Sequence, residues 1–235
     1  MTLTTETADA LRAVTTATLT TILLKKGLRN VWIRGAMPMR EGETRVVGPA
    51  FTFRFVPARE DLATPASWGS PISTRAAIEE MPEGAIAVID AMGIVDAGVF
   101  GDILCARMVK RGAAALITDG VIRDRAGVMQ TGLPIWARGA AAPPSVAGLT
   151  FVGWQETVGC GGVCVVPGDV IVADADGAVV IPAMLVEEVT TEAIEQERLE
   201  GWIVEEVERG EKLPGLYPMN EATKARYAAW KEGRS

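Results

Sequence analysis

Histidine is absent from this chain of 235 residues. Its absence excludes a Ser-His-Asp triad, a Cys-His nucleophile pair, a His-ligated zinc site and an imidazole proton shuttle. Any proton transfer must therefore use carboxylates, Lys, Tyr, Cys, Arg or water. Any metal would need oxygen or sulfur ligands, and oxygen ligands favour Mg²⁺ or Mn²⁺.

Cysteine is scarce as well, and the chain contains only Cys105, Cys160 and Cys164. Such a small, odd number argues against a disulfide framework and is typical of a protein from a reducing cytoplasm. Cys160 and Cys164 lack the second pair or the histidine that would complete a zinc site. The chain also lacks a run of about 18 apolar residues, so we expect a cytoplasmic protein that does not enter a membrane.

Positive charge is in deficit, because 23 Lys+Arg face 30 Asp+Glu and the formal net charge is −7. A non-specific nucleic-acid binder needs a basic surface that neutralises phosphates, so we expect no nucleic-acid partner. The hydrophobic residues, 49% of the chain, suffice for a packed core. We predict a single α/β catalytic domain over residues 1–182. A C-terminal helical extension with a tail, not an independent domain, is predicted over residues 183–235.

The central third of the chain has the pattern of a parallel sheet. The short, nearly all-apolar runs Ala85–Asp90, Ala113–Thr118 and Leu133–Ala137 are typical of strands buried on both faces. A predicted helix at Asp102–Arg111 and a shorter one at Arg123–Met129 separate these runs. The resulting βαβαβ order predicts parallel strands with helices packed on the sheet.

The flanking segments predict further elements. An apolar stripe predicts one helix over Thr5–Lys26, alternation predicts a strand over Thr44–Phe55, and Pro, Ser and Gly indicate a loop over Thr64–Ser73. Later turn residues predict antiparallel hairpins, followed by a long helix dense in Glu. These late strands and the helix are Cys164–Val166, Val170–Ala173, Ala178–Ile181 and Pro182–Glu208.

Two acidic residues and an arginine make Gly98–Asp124 the segment with the most chemical information. Asp102 stands where a loop enters the predicted helix, and Gly101 before it would let a ligand approach the backbone. The helix travels ~15 Å and the following strand returns ~16 Å, so Arg123 and Asp124 come back to the level of Asp102. The three meet outside the carboxyl ends of parallel strands, where open α/β sheets usually bind ligands.

Each residue type at this place suits a chemical role. The N–H groups of Ile103, Leu104 and Cys105, expected to be free at the helix N-terminus, favour a bound carboxylate or phosphate. Arg123 offers a planar fork for a carboxylate or an enolate oxygen, and Asp102 or Asp124 could hold a hard cation directly or through water. A structural interpretation has equal weight at this point: Asp102 as a helix N-cap, and Arg123 and Asp124 as surface residues after a turn.

A family resemblance goes further than the spacing. Gly101-Asp102, followed after twenty residues by Arg123-Asp124, resembles the G-D-x20-R-D signature of the 4-hydroxy-4-methyl-2-oxoglutarate aldolase family. That family includes the regulator of ribonuclease activity A proteins and is also called RraA-like. The flanking runs AAALITDG and LPIWA and the late segment Val166–Asp174 are similar too. The resemblance covers roughly Val46–Pro182, and its motif is specific to the superfamily but not to one substrate.

The resemblance implies a fold, an assembly and a reaction. The fold would be an α/β, αββα sandwich resembling the swivelling phosphohistidine domain, assembled as a homotrimer or as a homohexamer with sites between subunits. The reaction would be that of a divalent-metal-dependent lyase, a class II pyruvate aldolase. Its substrate would be a 4-hydroxy-2-oxo acid of the 4-hydroxy-4-methyl-2-oxoglutarate or 4-carboxy-4-hydroxy-2-oxoadipate type, cleaved to pyruvate and a second oxo acid. The resemblance also implies that oxaloacetate is decarboxylated.

The same resemblance implies roles for residues of this chain. Asp124 would ligate Mg²⁺ or Mn²⁺, and Arg123 would contact the keto oxygen and stabilise the pyruvate enolate. The backbone at Ile103 and Leu104 would bind the substrate carboxylate, and Asp102 would order the water that removes the 4-hydroxyl proton. The implied substrate-binding residues are Gly101, Ile103, Leu104 and Arg123.

Two other functions stay open. The chain could be a non-catalytic regulator that binds a ribonuclease, or a lyase or decarboxylase of the same fold that acts on another sugar acid or oxo acid. The roughly fifty residues beyond Pro182 favour the enzyme, because the regulators end near that point. Family aldolases also use an acidic residue of a neighbouring subunit, for which Glu195, Glu197 and Glu200 are candidates. The alternative for these three is a solvated helix face.

Other notable residues are expected to be structural. Cys105 is predicted to be a small buried side chain, and Lys110 lacks the desolvating surroundings that a Schiff-base lysine needs. Trp68 is expected to be a packed surface aromatic in a loop that could close over a site. Tyr227 and Trp230 in the tail are expected to form a clasp between subunits.

Overall fold

The computed structural model describes residues 3–233, and its main feature is a sheet of eight strands. The predicted domain over residues 1–182 and the predicted extension over residues 183–235 therefore each include two residues, 1–2 and 234–235, that lie outside the described residues. The strands are β1 (Met37–Pro38), β2 (Val46–Pro57), β3 (Ile86–Asp90), β4 (Ala115–Thr118), β5 (Ile135–Ala137), β6 (Leu149–Trp154), β7 (Val170–Asp174) and β8 (Gly177–Ile181). The helices are α1 (Thr5–Arg12), α2 (Thr16–Lys25), α3 (Thr74–Glu80), α4 (Asp102–Lys110), α5 (Arg125–Gln130), α6 (Val186–Glu208) and α7 (Glu221–Glu232).

The predicted βαβαβ unit is confirmed at the centre of the sheet. β2, β3, β4 and β5 are neighbours in parallel pairing, with α4 and α5 as the connections between β3, β4 and β5. β1, β6, β7 and β8 add antiparallel pairings, and β7–β8 is the predicted hairpin. Trp32 bridges Val179 of β8, and the Ile33 N–H donates to the Ala178 carbonyl at 2.9 Å. The segment before β1 therefore lies along β8, and the sheet nearly closes.

Alternating side chains divide the core between the two faces of this sheet. Along β3, Ile86 and Val88 join an inner cluster, whereas Ala87 and Ile89 face an outer cluster that includes residues of α3, α4 and α5. A third cluster joins β7 and β8 to α1, α2 and α6 on the opposite outer side. The chain is thus a mixed α/β fold with C-terminal helices, as predicted. Its likeness to the swivelling phosphohistidine domain stays a prediction.

Two predicted elements are wrong. The helix predicted over Thr5–Lys26 is two helices, because Thr15 leaves the helical conformation and its hydroxyl accepts a bond from the Thr18 N–H. The strand predicted over Cys164–Val166 is only an isolated bridge between Val158 and Val165. The helix predicted from Pro182 begins as a short 3-10 turn and is regular from Val186.

The C-terminal helices divide into an anchored part and a projecting part. The first half of α6 contributes Val186, Val189 and Ala193 to the cluster with α1 and α2. Its second half packs Trp202 against Tyr227 of α7 in a separate cluster. Within residues 3–233, no helix combines the length and the apolar composition needed to cross a membrane.

Candidate active site

A cleft of about 290 Å³ lies beyond the carboxyl ends of β3 and β4. All of the residues predicted for the site line this cleft, namely Gly101, Asp102, Ile103, Leu104, Arg123 and Asp124. Residues that the sequence did not single out for binding complete its wall, among them Thr74, Arg75 and Ser145. Trp68, predicted as a packed surface aromatic, lines it too. The helix-then-strand geometry therefore brings the two halves of the motif to one place.

Backbone pairing holds the two motif loops side by side. The Arg123 N–H donates to the Phe100 carbonyl at 2.9 Å, and the Val99 N–H donates to the Val121 carbonyl at 2.8 Å. A Cβ at Gly98 would lie 2.7 Å from the Cβ of Arg123, closer than real Cβ atoms approach. Glycine at position 98 is thus what allows the arginine loop to lie against the other loop.

Arg123 and Asp124 form an ion pair at the rim of the cleft. The Arg123 Nε donates to Asp124 Oδ2 at 3.0 Å, and both side chains are partly exposed. Solvent weakens such a pair, so its contribution to stability is small and its main effect is to orient the two groups. The pairing leaves both Nη groups of Arg123 and Oδ1 of Asp124 without a partner among residues 3–233. Asp124 also has a φ of +52°, a left-handed conformation that asparagine and aspartate adopt more readily than most residues other than glycine.

Asp102 is the first residue of α4 and not its N-cap, which is Gly101. Its Oδ1 accepts from the Ile103 N–H at 2.7 Å, and a Cβ at Gly127 would lie 2.7 Å from its Oδ2. In the part of the chain that the structure describes, the Leu104 N–H has no acceptor. The prediction that the Cys105 N–H is also free is wrong, because it donates to the Gly101 carbonyl at 3.1 Å and so makes the first bond of the helix. A ligand carboxylate at this helix end would therefore meet one free N–H and one N–H shared with Asp102.

The donor set of the cleft fits a hard cation better than zinc. It offers two carboxylates, Asp102 and Asp124, and the described residues contain no group of three or more His, Cys, Asp or Glu side chains that could hold a metal. Mg²⁺ is commonly bound by one or two carboxylates, with water and substrate oxygens as its other ligands. The free Oδ1 of Asp124 suits that mode.

Comparison with known proteins identifies the family. The family model named RraA-like, described as Aldolase/RraA, matches residues 4–180. The chain belongs to the RraA-like family. A Halalkalibacterium halodurans protein named "Putative 4-hydroxy-4-methyl-2-oxoglutarate aldolase" is 33% identical over 146 residues, which cover 62% of this chain and 63% of that protein. Protein DlpA of Legionella pneumophila is 27% identical over 67% of this chain, but the match spans only 24% of DlpA.

Solved structures of similar chains support the same membership. RraAS2 of Streptomyces coelicolor, described as an unusual member of the RNase ES inhibitor RraA protein family, is 33% identical with a TM-score of 0.77. The match covers 86% of this RraA-like chain and 97% of that one. An uncharacterized protein from Pseudomonas syringae pv. tomato is 26% identical with a TM-score of 0.78, over 92% and 99% of the two chains. The family thus includes proteins named as aldolases and as ribonuclease inhibitors.

A buried carboxylate next to the cleft has a positioning role that the sequence did not indicate. Asp119 accepts from the N–H groups of Ala91, Gly93 and Gly161 at 2.8 to 3.0 Å. Burial raises the pKa of Asp119, although these three hydrogen bonds oppose the shift. The local sequence could not indicate this role, because the three donors come from distant segments. The carboxylate fixes the start of the loop that leads from β3 into the cleft.

The thiols of this RraA-like chain do not supply a nucleophile to the cleft. Cys105 is buried as predicted, and burial, followed by the nearby Asp102 charge, raises its pKa to about 12. Cys160 is also buried, its pKa is raised well above the usual value, and its Sγ donates to the Ile89 carbonyl. Cys164 is exposed and does not line the cleft. Lys110, at the far end of α4, does not line it either.

The candidate acids of α6 are engaged elsewhere within this chain. Glu197 accepts from the Thr15 N–H at 2.7 Å and from its hydroxyl at 2.8 Å. Glu195 accepts from Lys231 at 2.8 Å and from the Tyr227 hydroxyl at 3.1 Å, and Glu200 accepts from Gln196 at 2.8 Å. These glutamates are therefore not merely a solvated face, and any role in a neighbouring subunit stays a prediction.

Tail aromatics also pack within the chain. Tyr227 stacks on Trp230 with ring centroids 5.7 Å apart, and both rings lie against Trp202 of α6. Their predicted role as a clasp between subunits stays a prediction.

Proposed function

We propose that this protein is a divalent-metal-dependent aldolase that cleaves a 4-hydroxy-2-oxo acid to pyruvate and a second oxo acid, and that it also decarboxylates oxaloacetate. The observation that carries the proposal is the meeting of Asp102, Arg123 and Asp124 around the N-terminus of α4 in one cleft. The name of the H. halodurans relative supports the same reaction class. Because the match spans 63% of that relative, its name is evidence of a reaction class and not of an exact substrate.

Substrate binding follows from the free donors of the cleft. The carboxylate of the 2-oxo acid would accept from the Leu104 N–H, aided by the positive end of the α4 dipole. The keto oxygen would face the Nη groups of Arg123, whose Nε is fixed by Asp124. Bound through Asp124 together with water and substrate oxygens, Mg²⁺ or Mn²⁺ would act as a Lewis acid at the keto oxygen.

Proton transfer would rely on Asp102, since the chain has no histidine. A water held by Asp102 accepts the 4-hydroxyl proton while the C3–C4 bond breaks. The electrons of that bond move into the pyruvate enolate, whose oxygen is stabilised by Arg123. Protonation at C3 then gives pyruvate. Decarboxylation of oxaloacetate forms the same enolate, so one site serves both reactions.

Substitution of the two groups at the rim tests this proposal. We expect Arg123→Ala and Asp124→Ala each to lower kcat/KM for pyruvate formation by about 10² or more, the range seen when one charge-stabilising donor is removed. Excess chelator should abolish turnover, and Mg²⁺ or Mn²⁺ should restore it. The matched controls are Arg59→Ala and Asp61→Ala, which break an exposed ion pair outside the cleft. Near-wild-type turnover by either rim variant, or full activity in chelator, would contradict the proposal.

A ribonuclease regulator is the second candidate, and the similarity to RraAS2 over 86% of the chain favours it. This function predicts inhibition of RNase ES cleavage that is unaffected by Asp124→Ala. If the protein inhibits RNase ES cleavage and does not decarboxylate oxaloacetate in Mg²⁺, the aldolase proposal is contradicted and the regulator function is supported.

Self-association as a homotrimer or homohexamer is also part of the proposal, because family members place sites between subunits. Sedimentation velocity would show a species of three or six times 24.9 kDa. The same measurement on Arg123→Ala checks that lost activity does not reflect lost assembly.

A further inference from the structure

We propose that Arg75, held on the ring of Trp68, is a specificity-determining residue that binds a second carboxylate at the far end of the substrate. This inference rests on the proposed function and deepens it, since it assigns the second carboxylate of the substrate to a residue of this chain. Neither Arg75 nor Trp68 belongs to the Gly101-Asp102 and Arg123-Asp124 motif, and the two come from a different wall of the cleft.

The charges of the cleft single out Arg75. Four charged residues line it: Arg75, Asp102, Arg123 and Asp124. Arg123 and Asp124 are paired with each other, and Asp102 accepts from a helix N–H. Among residues 3–233 no acidic side chain pairs with Arg75, whose guanidinium carbon lies 5.1 Å from the centre of the Trp68 ring. In a chain with seven more acidic than basic side chains, an arginine without an acid beside a substrate cleft is available for an external anion.

The position of this guanidinium over the Trp68 ring suits a carboxylate. A guanidinium held against an aromatic ring can still donate two parallel bonds to a carboxylate through its N–H groups. Ring contact also limits the freedom of the long side chain, so less conformational entropy is lost when the anion binds. A lysine at this position would keep the charge but lose both the stacking and the fork geometry.

The backbone under Arg75 is fixed relative to the catalytic motif. Ala77 and Ile78 of α3 are buried in the outer core, and the Ser73 hydroxyl accepts from the Ala76 N–H at 3.2 Å at the start of this helix. Arg107 of α4 donates to Glu79 of α3 at 2.7 Å. The helix that carries Arg75 is thus bonded to the helix whose first residue is Asp102. A site held on packed helices can measure the distance between two ends of a ligand.

An apolar groove of about 300 Å³ offers the competing arrangement. It shares Trp68, Thr74 and Ser145 with the cleft and continues along Phe55 and Leu149. A substrate with an apolar tail would lie in this groove and would gain nothing from Arg75. The choice between a carboxylate and an apolar tail at the far end is therefore open to direct measurement.

Binding of two matched ligands tests the inference without any turnover. 2-Oxoglutarate carries a carboxylate where 2-oxopentanoate carries a methyl group, and calorimetry in excess Mg²⁺ gives the affinity ratio of the two. We expect the wild type to prefer 2-oxoglutarate by about tenfold or more, the usual range for hydrogen bonds between charged groups. Arg75→Met should reduce the preference to near unity, and Arg75→Lys should leave an intermediate preference. Arg54→Met, which breaks an exposed pair with Glu156, is the matched control and should keep the wild-type preference.

Variants of Trp68 distinguish a loss of Arg75 positioning from a general loss of structure around the cleft. Trp68→Leu should weaken the preference, and Trp68→Tyr should retain most of it because a ring is still present. Equal affinity of the wild type for the two ligands would overturn the inference, as would an unchanged preference in Arg75→Met. Tighter binding of 2-oxopentanoate would assign the far end to the apolar groove.

Failure of this inference and failure of the proposed function give different results. If the wild type prefers 2-oxoglutarate through Arg75 but releases no pyruvate from any 4-hydroxy-2-oxo acid, the dicarboxylate site is supported and the aldolase function is contradicted. If the wild type forms pyruvate but Arg75 has no effect on the preference, the aldolase function is supported and the dicarboxylate site is contradicted.

Discussion

Three glycines define the space in which the acidic and basic groups of the cleft meet. A Cβ at Gly98 would collide with Arg123, one at Gly101 with Asp124 Oδ2 at 2.5 Å, and one at Gly127 with Asp102. Glycine 101 belongs to the motif, but its contact partner lies 23 residues further along the chain. These contacts show that the spacing of the motif encodes close packing of side chains against bare backbone, in addition to the identities of the charged residues.

The Gly101→Ala variant tests this packing. The backbone at position 101 is extended, with φ −110°, so alanine should fold normally, but its methyl group must displace Asp124. We expect kcat/KM for pyruvate formation to fall by about tenfold or more, the effect of roughly 1.4 kcal/mol on the transition state, with little change in the free energy of unfolding. Gly201→Ala on α6 is the matched control, because nothing lies within 4 Å of its Cβ position. Wild-type turnover by Gly101→Ala would show that Asp124 need not stay in place.

For single residues, the sequence predicts well which motif residues lie in the cleft and predicts poorly which other residues lie beside them. Asp102, Arg123 and Asp124 could be placed together because helix rise and strand rise are nearly fixed quantities. Arg75 and Trp68 could not, since their approach to the cleft depends on how α3 and the 3-10 helix Pro65–Gly69 before it pack. Asp119 illustrates the same limit, because its three donors come from two other loops.

Among the elements, the central strands were predictable and the N-terminal helices only partly so. β3 and β4 are buried on both faces, so their sequences are continuous apolar runs between turn residues. The break between α1 and α2 is different, because the Thr15 N–H and hydroxyl donate hydrogen bonds to Glu197, a residue 182 positions away. Local periodicity cannot reveal a capping partner that distant, and the apolar stripe continues across the break.

A single carboxylate joins three elements, and its titration can be measured. Asp174 at the end of β7 accepts from the N–H and the hydroxyl of Thr16 at 2.9 and 2.6 Å, and from Arg45 beside β2 at 3.3 Å. Burial would raise the pKa of Asp174, but the bonds from Thr16 and Asp176 and the charge of Arg45 together lower it. A lowered pKa in the folded state means that ionised Asp174 stabilises the fold at neutral pH. That contribution is lost as the pH falls below the ordinary pKa, about 3.9, through the folded value.

Asp174→Asn should therefore destabilise the protein most near neutral pH. We expect a loss of about 1–3 kcal/mol in the free energy of unfolding at pH 7, the cost of leaving buried donors unsatisfied. The difference from wild type should shrink as the pH falls below about 3.9, the ordinary pKa of aspartate. Urea unfolding at a series of pH values measures both effects, and Asp176→Asn, an exposed neighbour, is the control. A difference that stays constant with pH would contradict the assigned role of the charge.

Considered as a whole, the molecule has one continuous core region and one small separate one. Three clusters of buried side chains share the strands of the sheet, whereas Trp202, Ile203, Leu216 and Tyr227 form a cluster of their own. The division between these regions falls within α6, whose first half is anchored on α1 and α2. The predicted start of the extension at residue 183 stays a prediction. The first half of α6 packs with α1, α2 and the β7–β8 hairpin of the α/β core.

Trp202→Ala should separate these two regions experimentally. Trp202 is 3% exposed, its ring contacts Tyr227 and Trp230, and Arg226 lies 5.8 Å from the ring centre. Removing a buried tryptophan side chain typically costs about 3–5 kcal/mol. Because its partners lie in α7 and the end of α6, that cost should fall on a local opening and not on global unfolding.

Hydrogen exchange followed by mass spectrometry resolves where the cost falls. In Trp202→Ala we expect faster exchange over residues 199–232 and unchanged protection in β3 and β4. Val204→Ala, at a position 56% exposed on the same helix, should leave both regions as in the wild type. Faster exchange across β3 and β4 as well would mean that the C-terminal helices unfold together with the α/β core. In that case the chain is one cooperative unit, and the two core regions do not open independently of each other.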